Sequence, residues 1–182
     1  MPALNLQVTK PTQHLDGDPV DCLVDEHYRQ QALCHILERV ARNPRHSAGS
    51  SELNDAWRYL GNDLLTHIAD EEDDLLPLLC HRCQVGDAFG EVAAALRDNH
   101  AGERSLGDAM LPELQRLIDG RALANPVRFF GSAMRLSRMI RRHLVWENAV
   151  LVPLARRRLK APDLPYLAEK MAIRRKSVGA RA

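Results

Sequence analysis

Two stretches of this sequence repeat one another, HIADEEDDLLP at residues 67–77 and HLVWENAVLVP at residues 143–153. Each begins with a histidine, His67 or His143, and carries glutamate four residues later, leucine eight later and proline ten later. On an α-helix, residues four apart lie one turn apart on the same face. A single His-x-x-x-Glu pair is typical of a surface ion pair, but two in register predict histidine and glutamate side chains aimed at one point from two helices.

The composition favours one compact, all-helical domain. The 182 residues are 45% apolar, which is enough to build a core at this length. Aromatic residues make up only 4%, alternating apolar runs are missing, and good helix formers such as leucine, alanine, arginine and glutamate dominate. The formal charge of +1 indicates no strong attraction to nucleic acid or to a membrane surface.

The lack of recognisable targeting signals and the small number of cysteines lead us to expect a cytoplasmic protein. The sequence shows neither a leader-like start nor an apolar run of the roughly 18 residues that a membrane span requires. Its four cysteines are too few for a disulfide scaffold, and we interpret them as reduced thiols. Cys80 and Cys83 have the spacing of half a zinc knuckle or of a redox pair, but no second pair accompanies them, so we interpret the spacing as incidental.

Capping signals divide the chain into four long helices and a shorter one. Asp18-Pro19 and Asn125-Pro126 each combine an N-cap residue with proline at the first helical position, and so start helices. The predicted helices span residues 18–42, 51–83 with a bend near Pro77, 86–119, 125–158 and 163–176. Short connections imply antiparallel neighbours, so we predict an all-α, up-down-up-down four-helix bundle with a short extra C-terminal helix. Its parts are an N-terminal arm (residues 1–17), the bundle (residues 18–160) and a C-terminal short helix with a basic tail (residues 161–182).

The first and third predicted helices each offer one inward histidine, His27 and His100. All four histidines lie about 14 to 19 residues from the turns that connect their helices to the next helix in the chain. Because an α-helix rises about 1.5 Å per residue, these similar distances place all four at one level of the bundle, within roughly 5 Å. Buried and unpaired, four imidazoles and two carboxylates would cost several kcal/mol each, so they need a common charged partner. A pair of metal ions would supply it.

The donor types narrow the choice of metal. Nitrogen and oxygen ligands without thiolate favour iron, manganese or zinc, and two carboxylates able to bridge favour a dinuclear site. Zinc prefers about four ligands per ion in a closed shell. Two imidazoles and two shared carboxylates per ion leave a position open, which suits iron that handles oxygen or another small molecule. Zinc in the same ligands is the alternative.

These motifs resemble the hemerythrin-like, HHE cation-binding family, over about residues 18–160. The resemblance implies an oxo-bridged di-iron centre whose metal ligands are His27 and His67 on one iron, His100 and His143 on the other, and Glu71 and Glu147 as bridges. Oxygen carriers of the family have a further histidine four residues after the third-helix one, where this chain has Arg104. The chain is therefore more similar to the iron-sulfur cluster repair proteins, or to iron- and oxygen-sensing domains, than to the carriers.

Several flanking residues have two interpretations each. Glu103 either completes the shell of the second metal ion or pairs with Arg104 at the surface. Arg104 cannot bind metal, but it is a candidate donor that orients a bridging glutamate. Glu72 and Asp70 either form a solvated face or hold the far N–H of a ligating imidazole, and His35 either lines the cavity or lies on the polar surface.

We therefore predict a non-haem di-iron protein that binds or senses oxygen or nitric oxide, or manages iron, rather than a dedicated enzyme. The alternatives are a di-iron enzyme or an iron-sulfur cluster repair-type protein acting in nitrosative or oxidative stress, and a zinc-bound or purely structural bundle. The predicted partner is a small molecule, with no nucleic acid and no membrane.

Overall fold

The computed structural model of the chain describes residues 17–47 and 49–179. All but the last residue of the predicted N-terminal arm, and the last three residues of the basic tail, lie outside this part. The described residues form helices and contain no β-strand, so the all-α prediction is confirmed. We number the main helices α1 (Pro19–Arg42), α2 (residues 51–82), α3 (Phe89–Ile118), α4 (residues 126–158) and α5 (Asp163–Gly179).

The helix starts follow the capping signals of the sequence. The Asp18 carboxylate accepts a hydrogen bond from the backbone N–H of Val20 at 2.8 Å, and the Asn125 side chain accepts one from Arg128 at 2.9 Å. Both caps satisfy backbone donors that the first helical turn leaves free. A single turn, Pro44–Ser47, connects α1 to α2, and a 3₁₀ turn, Val85–Asp87, connects α2 to α3.

Both halves of the sequence repeat contain a π-helical turn, and the turn begins at or beside the repeat glutamate. In α2 it spans Asp70–Leu75 and in α4 it spans Glu147–Leu151. At the end of each turn, the residue before the repeat proline donates its N–H to the carbonyl of the repeat glutamate, five residues back. A proline inside a helix clashes with the carbonyl four residues before it, and a widened turn relieves that clash. The predicted bend near Pro77 therefore takes the form of a π turn.

The four long helices pack as neighbours around a common core. α1 packs most extensively on α4, α4 also packs on α3, and α2 contacts both α1 and α3. The contacts between α1 and α4 run in opposite order along the two helices: Asp21 meets Arg156, whereas Cys34 and Ser137 exchange hydrogen bonds at 3.3 and 3.6 Å. α5 packs against α1 and against the π turn of α2.

The buried apolar side chains form two separate clusters. One lies toward the C-terminal half of α1 and includes Leu37, Leu64 and Ile140. The other lies at the opposite end and includes Leu23 and the α5 residue Met171. Because His27 lies between Leu23 and the first α1 residues of the other cluster, a polar layer separates the two clusters. None of the described helices combines the length and the apolar character that crossing a membrane requires.

Candidate metal centre

The polar layer contains the six ligands expected from the repeat and the lone histidines. Each of these side chains is at most 2% exposed, so water reaches none of them freely. They come from all four long helices: His27 from α1, His67 and Glu71 from α2, His100 from α3, and His143 and Glu147 from α4. Successive imidazole rings lie with their centroids 4.9 to 6.4 Å apart. The structure therefore brings the six predicted residues together in one place.

The two glutamates each lie between histidines of different helices. One oxygen of Glu147 is 3.3 Å from His27 Nε2 and the other is 3.0 Å from His143 Nε2. A single oxygen of Glu71 is 3.8 Å from His67 Nε2 and 3.2 Å from His100 Nε2. Each carboxylate is thus placed to serve histidines from opposite halves of the sequence.

The donor atoms fall into two groups that could each hold a metal ion. One group contains four residues, His27, His67, Glu71 and Glu147, and the other contains His100, His143 and Glu147. Within each group the ligand atoms all lie within 4.8 Å of one another. Since Glu147 belongs to both groups and offers an oxygen to each, two ions would share it.

The inward atoms of this layer lack ordinary hydrogen-bond partners. Among the described residues, no well-aligned partner is found for the Nε2 atoms of the four histidines, for Glu71 Oε2 or for either Glu147 oxygen. A buried polar atom without a partner costs about 1–3 kcal/mol, so seven in one layer would be a large penalty. Cations at the centre of the layer would satisfy all seven atoms, because each presents a lone pair to it.

Three of the four imidazoles are held from behind by their far ring nitrogen. His100 Nδ1 lies 2.8 Å from Glu72, and His143 Nδ1 lies 2.9 Å from Glu103. His27 Nδ1 lies 3.1 Å from the amide oxygen of Asn148. Because each partner accepts a hydrogen bond, Nδ1 carries the proton and the Nε2 lone pair points to the centre. This is the arrangement that metal-ligating histidines usually show.

The sequence model of one protein family matches most of the chain. That family is described as the hemerythrin HHE cation-binding domain, and the match covers residues 18–155. The chain belongs to the hemerythrin HHE cation-binding family. Among curated proteins and solved structures, none matches the chain. The matched segment of this hemerythrin-like domain contains all six residues of the centre and ends before α5.

Glu103 and Arg104 do not form a surface ion pair with each other, and each contacts a different residue of the hemerythrin-like domain. Glu103 is only 1% exposed and contacts His143 on the side away from the centre, so it neither pairs with Arg104 nor faces the other ligands. Arg104 lies 3.6 Å from Glu72, so it acts on the carboxylate behind His100 and not on a bridging glutamate. Adjacent residues of a helix point in different directions, so Glu103 faces the interior and Arg104 faces the outside of the bundle, although they are neighbours in sequence.

The two acidic residues beside Glu71 do not share a solvated face. Glu72 reaches His100, as the alternative interpretation proposed. Asp70 is fully buried, and a solvated position for it is wrong, because Arg174 and Arg175 of α5 reach its carboxylate. That contact joins residues more than 100 positions apart, so local sequence gave no signal for it.

Burial and neighbouring carboxylates have opposite effects on the pKa values of His67 and His143. Burial lowers the pKa of His67 to about 3, so its imidazole is neutral and ready to act as a ligand. Burial also opposes protonation of His143, but the negative charges of the neighbouring Glu103 and Glu147 carboxylates outweigh it and raise its pKa to about 10. A metal ion bound at His143 Nε2 would displace the second proton that these two carboxylates favour on the ring.

The other candidate residues lie away from the centre. His35 is exposed and lines a surface cleft of about 230 Å³ together with Asn148, so it does not reach the ligands. Cys80 is exposed and Cys83 is half-buried, both are free thiols, and no potential metal group among the described residues includes them. Asn148 is a further contact that sequence reasoning missed, although it directly follows Glu147 in the repeat.

Proposed function

We propose that this hemerythrin-like domain holds two iron ions and uses them to bind or sense a small molecule such as oxygen or nitric oxide, or to manage iron. The proposal rests above all on the seven inward donor atoms that lack partners. In this proposal His27 and His67 bind one ion, His100 and His143 bind the other, and the two repeat glutamates bridge them. The division of the donor atoms into two groups that share Glu147 supports the pairing of the histidines and a bridging Glu147. Bridging by Glu71 is supported by its Oε2 atom, which lies 3.8 Å from His67 Nε2 and 3.2 Å from His100 Nε2.

The proposal includes an up-down-up-down order of the four long helices. It is supported by pairs of contacts that run in opposite order along neighbouring helices. Between α2 and α3, Glu72 meets His100, whereas Leu60, which comes earlier in α2, lies beside Gly107, which comes later in α3. In such a bundle, residues from four helices can share one level, as the ligands do.

The donor set favours iron over zinc. The four nitrogens and two carboxylates include no thiolate, and a shared pair of carboxylates suits a dinuclear centre of a redox-active metal. Zinc would reach its usual four ligands and leave little for a further molecule. Bound iron would supply a redox-active pair of ions with an open coordination position.

The chain's own residues bind, orient and shield the centre. Glu72, Glu103 and Asn148 fix the direction of three imidazoles, and the apolar clusters above and below exclude water. Because all six proposed metal-binding side chains are buried, the small molecule that binds there is expected to have only a few atoms. The near-neutral net charge supports the proposal that neither nucleic acid nor membrane is a partner. The four free thiols support a cytoplasmic location.

Optical spectroscopy tests this function. The chain is loaded with ferrous iron without oxygen, and absorption is recorded before and after adding oxygen, hydrogen peroxide or nitric oxide in separate samples. We expect bands of a ferric pair to develop with oxygen or peroxide and a distinct spectrum with nitric oxide, while a zinc-loaded sample stays colourless. An iron-loaded spectrum that responds to none of the three would contradict the proposal. Repeated turnover of an added substrate would favour the enzymatic alternative.

A further inference from the structure

The C-terminal helix α5 lies outside the segment that matches the family, yet it packs against the π turn that carries Glu71. The match ends at residue 155, and α5 begins at Asp163. Leu167 and Met171 of α5 are completely buried in the apolar cluster on that side. The helix contacts the π turn Asp70–Leu75, which carries Glu71.

Two arginines of α5 bind two aspartates of this π turn. Arg174 bonds to Asp70 and, at 2.6 Å, to Asp74. Arg175 lies 2.7 Å from the second oxygen of Asp70. Both aspartate side chains are at most 8% exposed, so their charges are largely removed from water and depend on the two arginines. Breaking such a pair from one side leaves an uncompensated buried charge, which is strongly unfavourable.

The other half of the sequence repeat has apolar residues at the positions that correspond to these two aspartates. Asp70 and Asp74 stand one residue before and three after Glu71, on one face of the helix. The corresponding positions around Glu147 are Trp146 and Val150, which pack against the apolar cluster. One half of the repeat is therefore held by apolar packing and the other by ion pairs from α5.

The backbone connects this contact to two metal-ligand positions. Asp70 immediately precedes Glu71, and its N–H donates to the carbonyls of His67 and Thr66. A shift of Asp70 would therefore move His67 and Glu71 together. These two residues belong to the same donor group.

From this geometry we infer that Arg174 and Arg175 are positioning residues of the metal centre, which hold the π turn so that Glu71 and His67 face their partners. They touch no ligand and act through Asp70 and Asp74. The inference rests on the proposed metal centre. It assigns α5 to that centre, although α5 lies beyond the family segment.

Cobalt(II) binding to the full chain tests the inference, because cobalt reports its ligand geometry through its visible absorption. The test variants are Arg174→Ala combined with Arg175→Ala, and a second protein with both changed to lysine. The matched control is Arg156→Ala, which removes an arginine whose pair with Asp21 is exposed and therefore contributes little. Helical circular dichroism is recorded at the same temperature as the titrations.

We expect the alanine variant to bind cobalt about tenfold more weakly, as losses behind metal ligands commonly do, and to show shifted visible bands. The lysine variant should recover part of the affinity, since lysine keeps the positive charge but not the planar guanidinium group. The control should match the wild-type chain. A merely structural role of α5 would lower thermal stability without shifting the bands of the loaded protein.

Should the alanine variant lose its helical signal, Asp70→Asn decides instead, because the amide keeps the size and removes the charge that needs a partner. It should weaken cobalt binding and shift the bands in the same direction. Wild-type affinity and bands in a folded alanine variant, or in Asp70→Asn, would overturn this inference alone. A wild-type chain that binds no cobalt would overturn the metal centre, and the inference with it.

Discussion

The imidazoles of the centre differ in what stands behind them. His100 and His143 both donate to carboxylates, whereas His27 donates to the neutral amide of Asn148. His67 Nδ1 has no hydrogen-bond partner within the described part of the chain. A carboxylate behind an imidazole makes it a more basic ligand. In the proposed dinuclear centre, the position formed by His100 and His143 would therefore be the more electron-rich of the two, and we expect it to bind a cation more tightly.

Replacing Glu103 by glutamine tests this difference between the two positions. The variant keeps a hydrogen-bond acceptor behind His143 but removes its charge, so we expect about tenfold weaker binding of one of two cobalt ions. A titration followed by visible absorption measures the two binding steps separately. Glu113→Gln is the control, since Glu113 lies on the same helix and is not buried. Equal weakening of both steps, or of neither, would count against unequal positions.

At the scale of helices, the repeat proline and the repeat glutamate are connected by the same π turn in both halves of the repeat. In both α2 and α4 the proline follows a π turn whose closing hydrogen bond ends on the carbonyl of the glutamate. Turns of this kind often occur at functional sites, where a strained helix aims a side chain. We therefore interpret the shared Leu-x-Pro ending of the two motifs as helping to direct Glu71 and Glu147.

Pro153→Ala should have opposite effects on stability and on metal binding. Alanine restores the missing N–H and removes the ring, so the metal-free protein should gain helix stability, by up to about 3 kcal/mol. The π turn can then relax, Glu147 turns away, and metal affinity should fall about tenfold. Thermal unfolding and cobalt titration measure the two effects.

The control for that substitution is Pro112→Ala, because Pro112 also lies inside a helix, α3, but in a stretch without a π turn. It should leave cobalt binding unchanged. If Pro153→Ala binds cobalt as the wild-type chain does, the proline does not aim the glutamate.

At the scale of the whole molecule, the centre separates two apolar clusters that would otherwise meet. Replacing six buried polar side chains by apolar ones would give a continuous core, and the fold instead places a layer of charges there. Such an arrangement costs stability unless a ligand stabilises it. The proposed pair of metal ions would offset this cost.

The sequence alone predicted the features that are periodic along a helix. The spacing of His67 and Glu71, its repetition around His143, and the cap signals were enough for the helices and for the meeting of the ligands. The roles of Glu103 and Asp70 could not be predicted, because each depends on which distant helix lies opposite. Arg174 is 104 positions from Asp70, and no periodic pattern connects them.

The number of iron ions bound per chain tests the central claim most directly. Elemental analysis of the chain after iron loading and removal of free metal should give about two ions, as expected for a dinuclear site, and Glu71→Ala should give clearly fewer while keeping its helical signal. A wild-type count near zero, or a count that Glu71→Ala leaves unchanged, would contradict a metal pair bridged by the repeat glutamates.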